Sequence, residues 1–186
     1  MVVLNRIYTR TGDSGTTALA NGERRKKSDL RIAAYGTSDE TNAAIGIARL
    51  HAAGDPLLDG MLARIQNDLF DVGADLCLPG HERLRVSDAQ VTRLEHEIDL
   101  LNQDIAPLDS FVLPGGSPAA AYLHLARTVC RRAERLMVEL GEKPGEIVSP
   151  PAIRYMNRLS DFLFVASRWA NDKGARDVKW VPGQNR

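Results

Sequence analysis

The stretch "SPAAAYLHLARTVCRRAERLMVELG", residues 117–141, has the pattern of one long helix with clear ends. Ser117 is a favoured N-cap residue, Pro118 suits the first helical position, and Gly141 is a natural C-terminal stop. At 3.6 residues per turn, the stretch makes more than about six turns. A helix of this length is typical of an all-α fold.

Four other stretches show helical periodicity or helix-end signals. They cover 36–54, beginning with the capping box Thr37 and Glu40 and ending at Gly54; 55–80, between Pro56 and Pro79; 87–105, beginning with the capping box Ser87 and Gln90; and 150–172. Because the connections between them are short, we predict an all-α, antiparallel five-helix bundle. An irregular segment rich in glycine and threonine precedes it.

Length and composition favour a single domain. The 186 residues have 44% hydrophobic and 26% charged content, typical of a globular protein. We predict one domain over 1–186, with an N-terminal nucleotide-binding segment at 1–35, the bundle at 36–172 and a tail at 173–186. The formal net charge of zero argues against a general nucleic-acid binder.

Two further features suggest the cell compartment. The chain shows neither a membrane-spanning run nor a signal or transit pattern in its first residues, so we expect a cytoplasmic protein without a membrane partner. Cys77 and Cys130 both lie in apolar helical patterns without metal-ligand spacing, so we expect reduced, buried thiols.

The N-terminal stretch "IYTRTGDSGTTAL", residues 7–19, has the composition of a phosphate-binding loop. Gly12 and Gly15 permit a backbone that points successive N–H groups into one concavity, and the surrounding hydroxyls add donors. No lysine follows the second glycine, so this is not a Walker A loop. The downstream "GERRKKSD" offers Lys27 as the cation. The alternative interpretation is a flexible chain end.

Polar residues also recur on two helices. His124, Arg127, Arg131, Glu134 and Arg135 form a charged face on the fourth helix, with more arginine than glutamate. Surplus arginines there predict a carboxylate or phosphate partner, whereas the alternative is a solvated face with internal ion pairs. On the fifth helix Asn157 and Asp161 share a face with Arg158 and Ser160 beside them, and these also fit an ordinary helix surface.

Together the motifs resemble those of one family, the PduO-type ATP:cob(I)alamin adenosyltransferases. The matching stretches are "YTRTGDSGTTAL", "GERRKKSD", "AAYGTSDETNAAIG", "FVLPGGSPAAAYLHLARTVCRRAER" and "NRLSDFLFVASRWAN", in this order over nearly the whole chain. The resemblance implies a homotrimeric five-helix bundle. It also implies transfer of the 5′-deoxyadenosyl group of ATP to cob(I)alamin, which yields adenosylcobalamin and triphosphate.

The resemblance implies site residues as well. For ATP they are Thr9, Arg10, Thr11, Gly12, Asp13, Ser14, Gly15, Thr16, Lys27, Arg131, Glu134 and Asn157, with Glu134 near the Mg²⁺ that accompanies ATP. Asp39 would pair with Arg127 across the subunit interface, and both are grouped with Arg131 and Phe111 as catalytic. Phe111 and Val112 would contact cobalamin. Arg10 and Ser14 stand where many relatives have lysine, and serine at 14 removes a cation from near the phosphates.

The implied chemistry needs no side-chain nucleophile. The Co(I) corrin attacks ATP itself, so the protein has to position two reactants and stabilise the leaving triphosphate. Phe111 would exclude a lower ligand from cobalt and so ease reduction of Co(II). An electron-donating reductase and an adenosylcobalamin-dependent enzyme are expected partners. The rival hypotheses are an ATP-binding cobalamin carrier or sensor with little turnover, and a purely structural bundle with a disordered N-terminus.

Overall fold

The computed structural model describes residues 7–80 and 85–186, and it confirms the five-helix bundle. The helices are α1 (Leu30–Ala52), α2 (Pro56–Cys77), α3 (Asp88–Asn102), α4 (Pro118–Gly141) and α5 (Pro150–Trp169), and the strands are β1 (Thr16–Ala18) and β2 (Arg24–Lys26). Within the described ranges, no helix is long and apolar enough to cross a membrane.

Three helices begin where the capping residues predict. The Asp55 carboxylate accepts a hydrogen bond from the Leu58 amide at 3.0 Å ahead of α2. Ser117 Oγ accepts from the Ala120 amide at 3.1 Å ahead of α4. At α3, the side chain of Gln90 accepts from the Ser87 amide at 2.8 Å. These bonds satisfy amide donors that have no partner inside the helix.

The predicted start of the first helix is wrong. Helix α1 begins at Leu30, seven residues before Thr37, because Asp29 caps it by accepting from the Arg31 amide at 2.8 Å. Thr37 lies inside the helix, where its hydroxyl donates to the Ala33 carbonyl at 2.8 Å. Threonine makes this bond in helix interiors, and it serves no capping function there. Residues 30–35 therefore belong to the bundle.

Helix α4 packs between α1 and α5. Helix α2 packs on α1 and also contacts α5, and α3 packs on α5. The contact face of α1 consists mainly of small residues, which allows close approach to α4. The buried residues there include Ala34, Ser38, Thr41, Ala44 and Ala48. This arrangement places the polar residues of α4 beside both neighbouring helices.

The described residues before α1 and after α5 are more ordered than an irregular segment and a tail would be. Strands β1 and β2 form an antiparallel hairpin in which Thr16 faces Lys26 and Thr17 faces Arg25. Near the other end, Lys179 forms a β-bridge with Val112. Both terminal segments are thereby attached to the parts of the fold where ligands were predicted.

Both cysteines are free, but only Cys130 is buried as predicted. Cys130 is fully buried, and burial raises the pKa of its thiol. Cys77, at the end of α2, is half-buried and lines a cavity between α1 and α2. It comes at the last turn of its helix, where packing covers it less completely.

Candidate functional site

The hairpin brings Lys27 against the N-terminal loop, residues 9–16. The Lys27 amide donates to the Gly15 carbonyl at 2.9 Å. A Cβ added at Gly12 would lie 3.2 Å from Lys27 Nζ, so the ammonium group lies directly over the backbone of this glycine. Lys27, eleven positions after the end of the loop, thus supplies the cation that in a Walker A loop comes directly after the last glycine.

The loop is shaped by two turns and by Arg24. The Asp13 amide donates to the Arg10 carbonyl at 3.3 Å, and the Gly15 amide donates to the Gly12 carbonyl at 3.1 Å. Gly15 has φ of +81°, a conformation that favours glycine. Arg24 donates to the Thr11 carbonyl at 2.7 Å and to the Thr16 hydroxyl. Sequence reasoning missed Arg24, although its place in "ERRKK" beside the loop was a signal.

The hairpin is fixed to the bundle by a triad that we call the hairpin anchor, Arg25, Arg31 and Glu146. One oxygen of Glu146 accepts from Arg25 at 2.7 Å, and the other accepts from Arg31 at 2.6 Å. The Arg31 side chain is 0% exposed and that of Glu146 is 15% exposed. Burial opposes ionisation of Glu146, yet the two arginines outweigh it and hold the pKa of this carboxyl below its usual value.

The anchor follows from the alternation of side chains along β2. Arg24 and Lys26 occupy one face of the strand, whereas Arg25 points the other way, toward Glu146. The sequence shows the basic run, but the partner lies 121 positions away. Only the tertiary fold reveals which arginine shapes the loop and which one holds it in place.

The polar face of α4 is buried at His124 and half-buried at Arg127, near its start, whereas Arg131 and Arg135 further along are exposed. His124 is only 3% exposed, and burial followed by the charge of Arg127 lowers its pKa, so the imidazole is neutral. Among the described residues, Arg127 Nε and His124 Nδ1 are buried without a hydrogen-bond partner. Burial and the nearby Arg131 also lower the pKa of Arg127. An anion bound at this face would satisfy the arginine.

Further along α4, Arg131, Glu134 and Asn157 line an open depression of about 350 Å³. Asn157 Nδ2 donates to Glu134 Oε1 at 2.9 Å, and Arg131 donates to the Ser160 hydroxyl at 3.4 Å. The second oxygen of Glu134 has no such bond within the described chain. Arg135, Glu139 and Glu142 also line the depression, so it offers two guanidinium groups, three carboxylates and one amide to a ligand.

Asp161 and Arg158 fit the alternative of an ordinary helix surface. They pair with each other at 3.2 Å, and Arg158 also pairs with Glu95 on α3 at 2.9 Å. Both carboxylates are exposed and Arg158 is only partly buried, so these ion pairs stabilise the bundle little. Asn157 is the one member of the predicted pair that reaches the depression.

Phe111 lies on the loop between α3 and α4, and it is 77% exposed. Its ring and that of Phe164 border a groove of about 390 Å³ together with residues 108–110. The ring of Trp180 lies 6.1 Å from that of Phe111. Sequence reasoning assigned 173–186 to a tail and missed Trp180. An apolar ring that the protein core does not cover is suited to a flat, apolar ligand face.

Asp39 is exposed on α1 and borders a cavity of about 570 Å³ between α1 and α2, together with the exposed Phe70. Across the described part of this single chain, no ion pair links Asp39 to Arg127. The pairing between subunits therefore stays a prediction.

The loop and the α4 depression are separate in one chain. Over residues 7–80 and 85–186, no hydrogen bond joins residues 9–16 to Arg131, Glu134 or Asn157. Residues 7–80 and 85–186 also contain no cluster of three His, Cys, Asp or Glu side chains that could hold a metal. A single carboxylate such as Glu134 fits a magnesium ion whose other ligands are phosphates and water.

Comparison with known proteins assigns this arrangement to a family. The family model described as cobalamin adenosyltransferase matches residues 7–170. A corrinoid adenosyltransferase from Mycobacterium bovis is 50% identical over 190 aligned residues, covering 100% of this chain and 97% of the relative. One from Bacillus subtilis is 41% identical, covering 94% and 92%.

Solved structures agree. A variant PduO-type ATP:corrinoid adenosyltransferase from Lactobacillus reuteri, complexed with cobalamin and ATP, matches with a TM-score of 0.86. It is 35% identical and covers 94% of this chain and 99% of that chain. A second variant of this enzyme, complexed with ATP, matches with a TM-score of 0.84 at 36% identity, covering 94% and 100%.

Proposed function

Because the chain belongs to the cobalamin adenosyltransferase family, we propose that it is an ATP:corrinoid adenosyltransferase. The observation that carries this function is the match over the whole chain to enzymes of that activity, at 50% identity. The resemblance predicted from the motifs is thereby confirmed. The structure supports the assignment with a cation-covered loop for a triphosphate and an exposed aromatic groove for a corrin.

In the reaction, the Co(I) centre attacks the 5′ carbon of ATP. A cobalt–carbon bond forms, the bond from that carbon to the triphosphate oxygen breaks, and the electron pair leaves with triphosphate. The residues of this chain supply charge and position rather than a nucleophile. Lys27 and Arg131 face the phosphates, and the loop amides add donors, so negative charge on the leaving group is stabilised as it develops.

Mg²⁺ enters with ATP in this proposal. Glu134 contributes its free carboxylate oxygen while Asn157 orients the other one. The ion, when bound, screens the charge of the triphosphate and makes it a better leaving group. The fit is to a metal carried by the nucleotide, since the described residues contain no cluster of three His, Cys, Asp or Glu side chains that could hold a metal by themselves.

The active unit is a homotrimer, and each site combines the loop of one subunit with the α4 face of another. Two observations support this. The loop and the depression share no hydrogen bond within one chain, and the half-buried Arg127 has a nitrogen without a partner. Asp39, exposed on α1, is the carboxylate that would meet it. The full chain 1–186 is one domain, and a separate reductase supplies the electron.

The test is an anaerobic absorbance assay with chemically reduced cob(I)alamin, MgATP and the purified protein. We expect the Co(I) spectrum to convert to that of adenosylcobalamin, with one triphosphate released per turnover. Tight binding of ATP and corrin without triphosphate release would contradict the enzyme and favour a carrier or sensor. Failure to bind ATP would contradict both.

A further inference from the structure

Phe111 is held in place by the C-terminal part of the chain rather than by packing of its own ring. The Trp180 amide donates to the Phe111 carbonyl at 2.8 Å, and the Leu113 amide donates to the Val178 carbonyl at 2.8 Å. Ser110 Oγ also donates to the Trp180 carbonyl at 2.7 Å. The ring is mostly exposed, so the position of Phe111 depends on where residues 178–180 lie.

Residues 178–180 follow a tight turn after α5, and this turn is fixed by a buried polar cluster. Arg168 donates to one oxygen of Asp177 at 2.7 Å, and Asn171 donates to the other at 2.9 Å. The Arg168 and Asp177 side chains are only 7% and 4% exposed. We call Arg168, Asn171 and Asp177 the C-terminal latch.

The latch also reaches the chain on both sides of Phe111. Before the Phe111 loop in the sequence, the Ala106 carbonyl accepts from Arg168 at 2.9 Å. After the loop, the Ser117 amide donates to the Asn171 side-chain oxygen at 3.0 Å. Gly116 packs so closely that a Cβ there would lie 2.3 Å from the Asn171 side-chain oxygen. One cluster therefore holds both ends of the Phe111 loop and the segment that pairs with it.

We propose that the C-terminal latch positions Phe111 beneath the corrin, so that Arg168, Asn171 and Asp177 are positioning residues for the corrin half of the reaction. This inference rests on the proposed function. The latch acts through the backbone of 178–180. Substitutions in the latch should therefore leave the N-terminal loop, at the opposite end of the sequence, unaffected. The buried pair has both partners satisfied, which gives it a single defined geometry.

The first experiment does not depend on activity. Amide hydrogen exchange of the full-length protein is measured for Asp177→Ala and for the control Asp104→Ala, which removes an exposed carboxylate paired with Lys173 in the same region. We expect exchange in residues 108–114 to quicken at least tenfold in Asp177→Ala and to stay unchanged in Asp104→Ala. Unchanged exchange at 108–114 in both variants would overturn the latch itself.

The second experiment separates the two halves of the reaction. With cob(II)alamin and a reductant, we expect Asp177→Ala to turn over at least tenfold more slowly than the unmodified protein. The Kd for ATP should stay within twofold, and the variant should show less of the absorbance of Co(II) without a lower ligand. Equal losses in ATP binding and turnover would show a general structural role and overturn the proposal.

A second pair of variants guards against misfolding of Asp177→Ala. Trp180→Pro and Trp180→Ala both lose the ring, but only the proline also loses the amide that donates to Phe111. We expect slower turnover in the proline variant than in the alanine variant, with α5 and the latch intact. Equal turnover of the two variants would contradict positioning of Phe111 through residues 178–180. An unmodified protein that lacks activity would refute the proposed function, whereas the exchange result would still test the latch.

Discussion

Most of the Phe111 ring is exposed to solvent, so packing of the protein core does not require an aromatic side chain there. We expect Phe111→His to slow adenosylation of cob(II)alamin in the presence of reductant at least about tenfold, or about 1.4 kcal/mol in barrier height. An imidazole there can bind cobalt and make reduction harder. The control is Phe111→Leu, which keeps an apolar side chain and should lose less.

The measurement for Phe111 is the initial rate with saturating MgATP, together with the Kd for ATP by calorimetry. The Kd should not change, because Phe111 lies on the corrin groove and not on the nucleotide loop. Full activity of the histidine variant with cob(II)alamin would remove Phe111 from the reduction step.

Cys130 is predicted to be chemically silent. Burial raises the pKa of its thiol, so the thiolate fraction stays negligible even at about pH 9. In a Cys77→Ser variant, we expect no reaction with a thiol reagent in the native state and one reactive thiol after unfolding. Labelling before unfolding would mean that the interface of α4 and α5 opens locally.

Single residues were predictable from sequence where local chemistry decides. The glycines of the loop and the basic residue Lys27 could be named from composition and spacing alone. Phe111 could not, because an apolar residue before a glycine turn also fits an anchor in the core, and only the resemblance to a family separates the two. Arg24 and Arg25 differ in role because they occupy opposite faces of β2, and the sequence does not show which face meets Glu146.

At the scale of the element, the hairpin anchor makes the nucleotide loop sensitive to acid. The folded-state pKa of Glu146 lies below its unfolded value, so its contribution is complete above the unfolded pKa, near about 4.3. It is lost as the pH falls through the folded-state value. We expect Glu146→Gln to lower stability by about 3 kcal/mol at neutral pH, because Arg31 is left buried without its counter-ion.

Chemical unfolding at several pH values measures this effect. The difference between the unmodified protein and Glu146→Gln should shrink as the pH falls below about 4 and be lost below the folded-state pKa, where the carboxyl is protonated in both the folded and the unfolded state. ATP affinity should fall as well, because the hairpin carries the loop. The control is Asp99→Asn, a substitution of an exposed carboxylate on α3, away from the hairpin. A stability difference that does not vary with pH would contradict the role of the charge.

Element boundaries were predictable where one capping residue stands alone. Ser87 and Ser117 mark their helices correctly, whereas Thr37 and Glu40 imitate a capping box inside α1. Asp29 is an equally good N-cap, and the stretch after it is apolar enough to continue the helix. The hairpin and the β-bridged segment at 178–180 are too short for a periodic signal, and distant partners stabilise both.

At the scale of the whole molecule, the proposed site between subunits predicts that two inactive variants can restore each other's activity. Lys27→Ala damages the loop, and Arg131→Ala damages the α4 face. In mixed trimers, a site that combines the intact loop of one variant with the intact α4 of the other is complete. Random mixing makes about one quarter of all sites complete, and in trimers that contain both variants about one site in three is complete.

The measurement is the activity of the co-expressed variants, purified through two different tags, against each variant alone. Activity well above both parents is expected. A mixture no more active than its parents would place each site within one chain. Light scattering gives the mass, and a monomer would contradict the trimer directly.

The hairpin anchor also has a consequence for synthesis of the chain. The N-terminal loop, residues 9–16, leaves the ribosome before any of the helices. Glu146, which fixes it to the bundle, lies 115 positions after Arg31 and 121 after Arg25. Four of the five helices must therefore be translated before the loop can be fixed to the bundle. Contacts this distant in sequence form late in folding, because the intervening chain has to be closed into a loop first. A nascent chain that stops before Glu146 therefore contains the whole N-terminal loop but lacks the carboxylate of the hairpin anchor.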